Sequence, residues 1–178
     1  MIFHDTEERR YLLARKYGTI VLDEAHRARR RGGLADSGGE PNNLLAFMLQ
    51  IGPRTRNLLL GTATPVQTQV RELWDLMGIL NAGADFVMGR EPFSRWIDWN
   101  RALPLVTGTG MPEDERDAWE WLRNPLPPGN GDTLFAGLRL QLGIPEKAFF
   151  SDRGYGSFGF LEKQDMAQTG LRHRRSWL

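Results

Sequence analysis

The chain has 178 residues, a mass of 20.3 kDa and a formal net charge of +1, so charge alone assigns it no partner. Hydrophobic residues make up 40% and glycine plus proline number only 30, which excludes a low-complexity polymer and fits one globular domain or part of a larger one. Cysteine is absent, which excludes disulfides, thiolate metal sites and a cysteine nucleophile.

The longest apolar run, Leu44–Leu49, has six residues, against the roughly 20 that a membrane helix needs. No secretory signal follows Met1. The expectation is a cytoplasmic chain with no membrane partner. Up to Leu80 there are 11 basic and 9 acidic residues, and after it 12 and 13, so neither half is a basic domain. Arginine nevertheless outnumbers lysine 20 to 3. Its planar fork suits phosphate, although genome base composition is the plainer source of such an excess.

Residues 6–16 read as a short helix ended by Gly18. Thr19–Leu22 is an apolar, partly β-branched run that reads as a buried strand, and Asp23 and Glu24 follow it directly. Arg27–Gly39 is basic and then glycine-rich, and reads as loop. Pro41–Ile51 reads as a helix with Leu44, Leu45, Phe47, Met48 and Ile51 on its apolar face, stopped by Gly52 and Pro53. Asn57–Leu60 is a second strand. About 35 residues containing a helix separate the two strands, the crossover that a parallel pair requires. Asp23–Glu24 and Gly61–Thr64 should then meet beyond the carboxyl ends of the strands, where open α/β sheets place their ligands.

Val70–Leu80 is a helix by period, with Val70, Leu73, Trp74, Met77 and Leu80 as its apolar stripe. The remainder is mainly helical. Pro92 can open a helix carrying Phe93, Trp96 and Ile97. Pro112–Glu115 puts acid into a first turn, and Asp132 caps a helix that runs through Leu142 to Gly143 and Pro145. Residues 151–170 carry no clear pattern.

Two adjacent carboxylates at a strand end repel each other unless something compensates. A hydrated Mg²⁺ can do so, held by one carboxylate through water together with nucleotide phosphates. The other can orient and deprotonate an attacking water. A solvated strand end beside a loop is the competing reading of a bare Asp-Glu pair.

The residues around the pair add a resemblance. Ile20-Val21-Leu22-Asp23-Glu24-Ala25-His26-Arg27 resembles the Walker B, or DEAH, motif of superfamily-two helicases. Leu58-Leu59-Leu60-Gly61-Thr62-Ala63-Thr64-Pro65-Val66-Gln67, with Arg71-Glu72-Leu73-Trp74-Asp75-Leu76 after it, resembles motif III of the Snf family, whose members are ATP-driven double-stranded DNA translocases. The Thr-Ala-Thr-Pro form is similar to bacterial members such as the RapA-like, RNA polymerase-recycling branch.

The resemblance implies an α/β fold. Residues 1–82 would be the back half of a RecA-like (P-loop NTPase) first lobe with parallel strands, and residues 83–178 a helical insertion-like and lobe-end region. It implies ATP and Mg²⁺ as cofactors, with Asp23 holding the ion through water, Glu24 activating the hydrolytic water and His26 coupling the nucleotide site to motif III. Thr62, Ala63, Thr64 and Gln67 would form that coupling motif, with Thr68 standing where an asparagine often follows. Double-stranded DNA is the implied partner, with RNA polymerase or a repair or defence complex as a protein partner. Arg172, His173, Arg174 and Arg175 resemble the arginine-rich stretch that closes the first lobe, or form a frayed basic tail.

The phosphate-binding loop G-x-x-x-x-G-K-[ST] is missing from the 178 residues, since none of Lys16, Lys147 and Lys163 follows a glycine. The expectation is therefore a fragment that does not turn over ATP alone. A non-catalytic binding remnant of such a lobe and a DEAH-type RNA helicase fragment are the alternatives, the second disfavoured by Glu72-Leu73-Trp74. Arg27, Arg29, Arg30 and Arg31 are either a solvated loop or contacts to a phosphate backbone. Gly154–Gly159 matches G-x-G-x-x-G without a strand before it and reads as loop. Trp74, Trp96, Trp99, Trp119 and Trp121 could stack on bases, but Trp74, Trp96 and Trp119 sit at helical spacing with apolar neighbours and read as core. Three histidines without paired spacing argue against zinc.

Overall fold

The computed structural model describes residues 6–31, 39–67, 69–84, 87–91, 94–129, 131–144 and 166–175. The chain is mixed α/β and divides into two compact units, Met1–Ala84 and Asp85–Leu178. No helix among the described residues is long and apolar enough to cross a membrane.

In the first unit, Thr6 caps α1 (Glu7–Leu13) by accepting from the Arg9 N–H. The helix ends at Ala14, earlier than Gly18 suggested, because Tyr17 and Gly18 already belong to β1 (Tyr17–Leu22). β1 pairs in parallel with β4 (Thr55–Leu60), with Thr19 opposite Asn57 and Leu22 opposite Leu60. The crossover is α2 (Asn43–Ile51), whose N-cap Asn42 accepts from the Leu45 N–H at 2.8 Å. Of the predicted apolar face, Leu45, Phe47, Met48 and Ile51 are buried and Leu44 is half-buried against the same core.

One expectation fails here. Thr19–Leu22 reads as a buried strand, yet Val21 is 63% exposed, and so is its neighbour Leu59 in β4, at 60%. Ile20, Leu22, Leu58 and Leu60 pack against the helical core, while Val21 and Leu59, opposite each other in register, occupy the other face. An apolar run cannot show which face is covered, because a one-sided sheet and a two-sided one read alike when both faces are apolar.

The basic segment also contains more order than a loop. A short 3₁₀ turn, Ala25–Arg27, leads into β2 (Arg30–Arg31), which pairs antiparallel with β3 (Glu40–Pro41). Asn42 fixes this segment by two donations, from its side-chain amide to the Arg27 carbonyl at 2.6 Å and from its backbone N–H to the Arg29 carbonyl at 3.0 Å. The helix read over Val70–Leu80 is α3 (Arg71–Gly83), and its buried face is rotated: Asp75, Leu76 and Ile79 point inward while Val70 is 42% exposed. Gly52 and Gly83 let α3 approach the turn after α2, since a Cβ on Gly52 would stand 3.3 Å from the Ile79 carbonyl.

The second unit is helical, as expected. A 3₁₀ turn at Arg95–Ile97 precedes α4 (Trp99–Thr107); Pro92 and Phe93 lie outside the described residues. Asp114 caps α5 (Glu115–Leu122), and Asp132 caps α6 (Thr133–Leu142), which ends in a left-handed Gly143 at φ 64°. The arginine-rich stretch is neither frayed nor a tail: it belongs to α7 (Met166–Arg175), packed on α5. Gly170 makes that approach feasible, because a Cβ there would stand 2.6 Å from a Leu122 methyl.

Arg174 is buried, donates to the Leu122 and Pro125 carbonyls, and lies 4.8 Å over the Trp96 ring. Burial pushes its guanidinium down to about 9, still cationic at neutral pH. Arg139 is likewise buried and donates to the carbonyls of Pro127 at 2.8 Å and Leu126 at 2.6 Å. Trp96 and Trp119 are core, as their helical spacing indicated, whereas Trp74 of the same set is only half-buried; Trp121, which meets Trp96 edge to face at 5.2 Å, is core as well.

Candidate functional site

The site sits where β1 and β4 end together. The ladder continues past the strands: the Gly61 N–H donates to the Leu22 carbonyl and the Ala25 N–H donates to the Gly61 carbonyl, each at 2.9 Å. These two bonds bring the chain after β1 against the chain after β4, so residues far apart in sequence become neighbours.

Asp23 and Glu24 project from this end into solvent. The Asp23 Oδ1 accepts from the Glu24 N–H at 2.9 Å, which fixes the first carboxylate against the backbone of the second. Glu24 adopts φ 51°, ψ 45°, the only positive φ at a non-glycine position among the described residues. For an L-residue this conformation costs about 1–2 kcal/mol, and such strain concentrates at functional sites. It turns the chain sharply enough for Ala25 to reach back to Gly61.

His26 bridges the two strand ends. Its Nδ1 lies 2.9 Å from the Thr62 Oγ1 and 3.2 Å from the Glu24 Oε2. The contact with Thr62 is a hydrogen bond whose donor is set by the imidazole tautomer, and the Glu24 carboxylate lies within ion-pair reach of the same nitrogen. Thr62 Oγ1 also accepts from the Thr64 N–H at 3.3 Å. The imidazole is mostly buried while Glu24 stays 58% exposed, so the anchored end of the bridge is on the Thr62 side. The structure thus joins Asp23, Glu24, His26, Thr62 and Thr64. Ala63 is an exposed bend residue between the two threonines.

Among the described residues no three His, Cys, Asp or Glu side chains converge to hold a metal ion. The donors present suit a hard, hydrated cation that takes one carboxylate and completes its shell with water and phosphate oxygens. Asp23 fits that part, with an exposed carboxylate and one oxygen beyond the bond to Glu24.

The four arginines after His26 separate into distinct environments. Arg27 and Arg31 are exposed and form no ion pair among the described residues. Arg30 is clamped to Asp75, its N–H donating to one carboxylate oxygen at 2.8 Å and its Nε to the other at 3.2 Å. Arg29 donates to the Gln67 Oε1 at 3.3 Å and to the Glu72 Oε1 at 3.4 Å, and Glu72 Oε2 accepts from the Gln67 N–H at 2.6 Å. Glu72 and Asp75 are therefore partners of the basic segment, a role sequence reading missed. The available signal was their i, i+3 spacing, which puts two acids on one helix face within a family-like motif.

The Asp75 carboxyl is pushed above the ordinary Asp value of 3.8 by burial, which outweighs the Arg30 N–H and guanidinium. A groove of about 520 Å³ lies at the opposite, N-terminal ends of the strands, lined by Leu13, Lys16, Leu49, Gln50, Pro53 and Arg54, and takes no part in this site. Thr68 and the Gly154–Gly159 segment lie outside the described residues. No protein-family model matches the chain, and no curated protein or solved structure is significantly similar to it.

Proposed function

We propose that this chain is the Walker B and motif III portion of a RecA-like lobe, part of an ATP-dependent translocase that acts on double-stranded DNA. The observation that carries the reading is the His26 bridge, which links the carboxylate turn after β1 to the threonine turn after β4 at 2.9 Å. A solvated strand end has no need of such a bridge, nor of a strained Glu24. The parallel pairing of β1 and β4 and the exposed carboxylates beyond their carboxyl ends support the same reading.

Asp23 would hold Mg²⁺ through water, and the bound ion would neutralise charge on the phosphate oxygens. Glu24 would accept a proton from the attacking water, its carboxylate held in orientation by the neighbouring His26 imidazole. Thr62 would sense that orientation through the same imidazole and pass it to the Thr64–Gln67 turn. The nucleotide's phosphates need a backbone cradle and a lysine, and the 178 residues contain no such loop. Turnover then requires that loop from another polypeptide segment.

The test is phosphate release from ATP with Mg²⁺ and duplex DNA. The chain alone should bind ATP weakly and release no phosphate. Mixed with the phosphate-loop half of a Snf-type first lobe and a second lobe, it should hydrolyse ATP, and Glu24→Gln should abolish this. DNA-stimulated turnover by the chain alone would show that it holds a complete site. Duplex binding with no turnover in any mixture would favour a non-catalytic binding module.

A further inference from the structure

We propose that Arg29 and Glu72 form an exchangeable latch, in which Arg29 leaves Glu72 for a phosphate of bound duplex and thereby frees the turn that holds Gln67. The proposal rests on the duplex-binding reading above. It assigns Glu72 as a positioning residue and separates Arg29 from Arg30 by whether each can leave its present partner.

Arg30 cannot leave cheaply. Asp75 is only 7% exposed and takes two bonds from Arg30, one from the backbone and one from the side chain. Withdrawing the guanidinium leaves a buried carboxylate short of a partner, which is strongly unfavourable. Arg29 is placed differently. Its side chain is 42% exposed, and its bonds of 3.3 and 3.4 Å lie at the long end of the hydrogen-bond range. Glu72 is 14% exposed, but it keeps the Gln67 N–H at 2.6 Å when Arg29 departs. The acceptor is therefore not stranded, and the exchange needs little beyond the value of a half-exposed ion pair.

The competitor is strong at this place. Arg27 and Arg31 flank Arg29 in sequence, are exposed, and have no acidic partner among the described residues. A phosphate backbone presents regularly spaced anions with oxygens that match the planar guanidinium fork. Drawing Arg29 outward removes its bond to the Gln67 side chain and the charge beside Glu72. The Thr64–Gln67 turn, which meets His26 through Thr62, would thus register whether a polyanion is bound.

The experiment uses the full 178-residue chain and a duplex of about 20 base pairs, with affinity followed against salt concentration. Glu72→Gln keeps an acceptor for the Gln67 N–H but removes the charge that competes for Arg29. It should tighten duplex binding about two- to fivefold, the equivalent of releasing one partly exposed ion pair. A purely structural Glu72 would give weaker or unchanged binding instead. Arg29→Ala should lower the slope of log affinity against log salt by about one, as the loss of one phosphate contact does. Arg30→Ala should lower thermal stability and leave that slope unchanged. In the wild type, exchange of the Gln67 amide should quicken when duplex is added, and in Arg29→Ala it should not respond. Duplex binding that Glu72→Gln fails to tighten, or an unresponsive Gln67 amide in the wild type, overturns the latch while leaving the duplex-binding reading intact. A wild-type chain that does not bind duplex at all overturns both.

Discussion

The two units use the same residue types in opposite ways. In the first, charged side chains gather at the solvent-facing ends of two strands, where Asp23, Glu24 and the Arg27–Arg31 segment are half or fully exposed for the most part. In the second, Arg139 and Arg174 are sunk among tryptophan, phenylalanine and leucine, and their guanidinium donors are taken up by loop carbonyls between Leu122 and Pro127. A guanidinium with several fixed carbonyl acceptors is architecture, because its charge and donors are already satisfied. One with long bonds to a partly exposed carboxylate is available for exchange. The arginine excess in the sequence is thus two populations, separated by burial and by what each arginine touches.

The largest expected effect probes the architectural population. Arg174→Ala should destabilise the second unit by about 3–5 kcal/mol, combining the emptied volume with unpaired Leu122 and Pro125 carbonyls. Arg174→Met fills most of the space and should cost less. Denaturant unfolding followed by tryptophan fluorescence reads this directly, since five of the six tryptophans lie beyond Ala84. A change below about 1 kcal/mol in Arg174→Ala would break the comparison, because this residue would then resemble a surface arginine.

Next in size is Thr62→Val in the first unit, which keeps shape and deletes the hydroxyl that is hydrogen-bonded to His26 and accepts from the Thr64 N–H. The expected loss is about 1 kcal/mol, the usual net worth of such a bond, and Thr62→Ser should restore most of it. Thermal melts of the three proteins give the comparison. Glu24→Gly should act in the opposite direction. It relieves a left-handed conformation worth about 1–2 kcal/mol against roughly 0.5–1 kcal/mol of added chain entropy, a net gain of about 0.5 kcal/mol. The lost contact with His26 matters little to stability, because Glu24 is 58% exposed. A residue whose removal stabilises the fold is retained for something other than the fold; a destabilised Glu24→Gly would remove that argument.

Legibility in the sequence follows the range of the forces involved. The parallel pair, the crossover helix and the cap at Asp132 could be read because period, spacing and capping chemistry are local. The meeting of His26 with Thr62 could be read because both follow directly on strands whose pairing was already implied. The exposed Val21–Leu59 face could not, since coverage depends on which helices pack where. The rotation of α3 was hidden for a related reason: Asp75 points inward only because Arg30, 45 residues earlier, supplies its partners. Arg174 inside a core also contradicts every composition rule, and only the carbonyls of the Leu122–Pro125 turn explain it.

The smallest effect is a matter of sign, and it separates the two units by pH. Asp75 in the first has its carboxyl raised above 3.8 because burial outweighs Arg30 and Arg71. Asp132 in the second also feels burial, but the Phe135 and Leu134 N–H groups and His173 outweigh it and the carboxyl is lowered below 3.8. Stability changes with pH in proportion to the protons bound by the unfolded chain minus those bound by the folded one. Above 3.8 the folded state holds the Asp75 proton longer than the unfolded chain does, so this contribution is fully present at low pH and declines as pH rises through the raised value. Below 3.8 the unfolded chain takes up the Asp132 proton first, so that contribution is present above 3.8 and declines as pH falls through the lowered value. Asp75→Asn should therefore flatten the stability profile on the neutral side of 3.8, and Asp132→Asn on the acid side. Chemical denaturation between about pH 2 and 7 measures both, within the window where carboxylates control folding. A profile that Asp75→Asn flattens on the acid side instead would mean that the Arg30 clamp outweighs burial, and that Arg30, too, is held chiefly by charge.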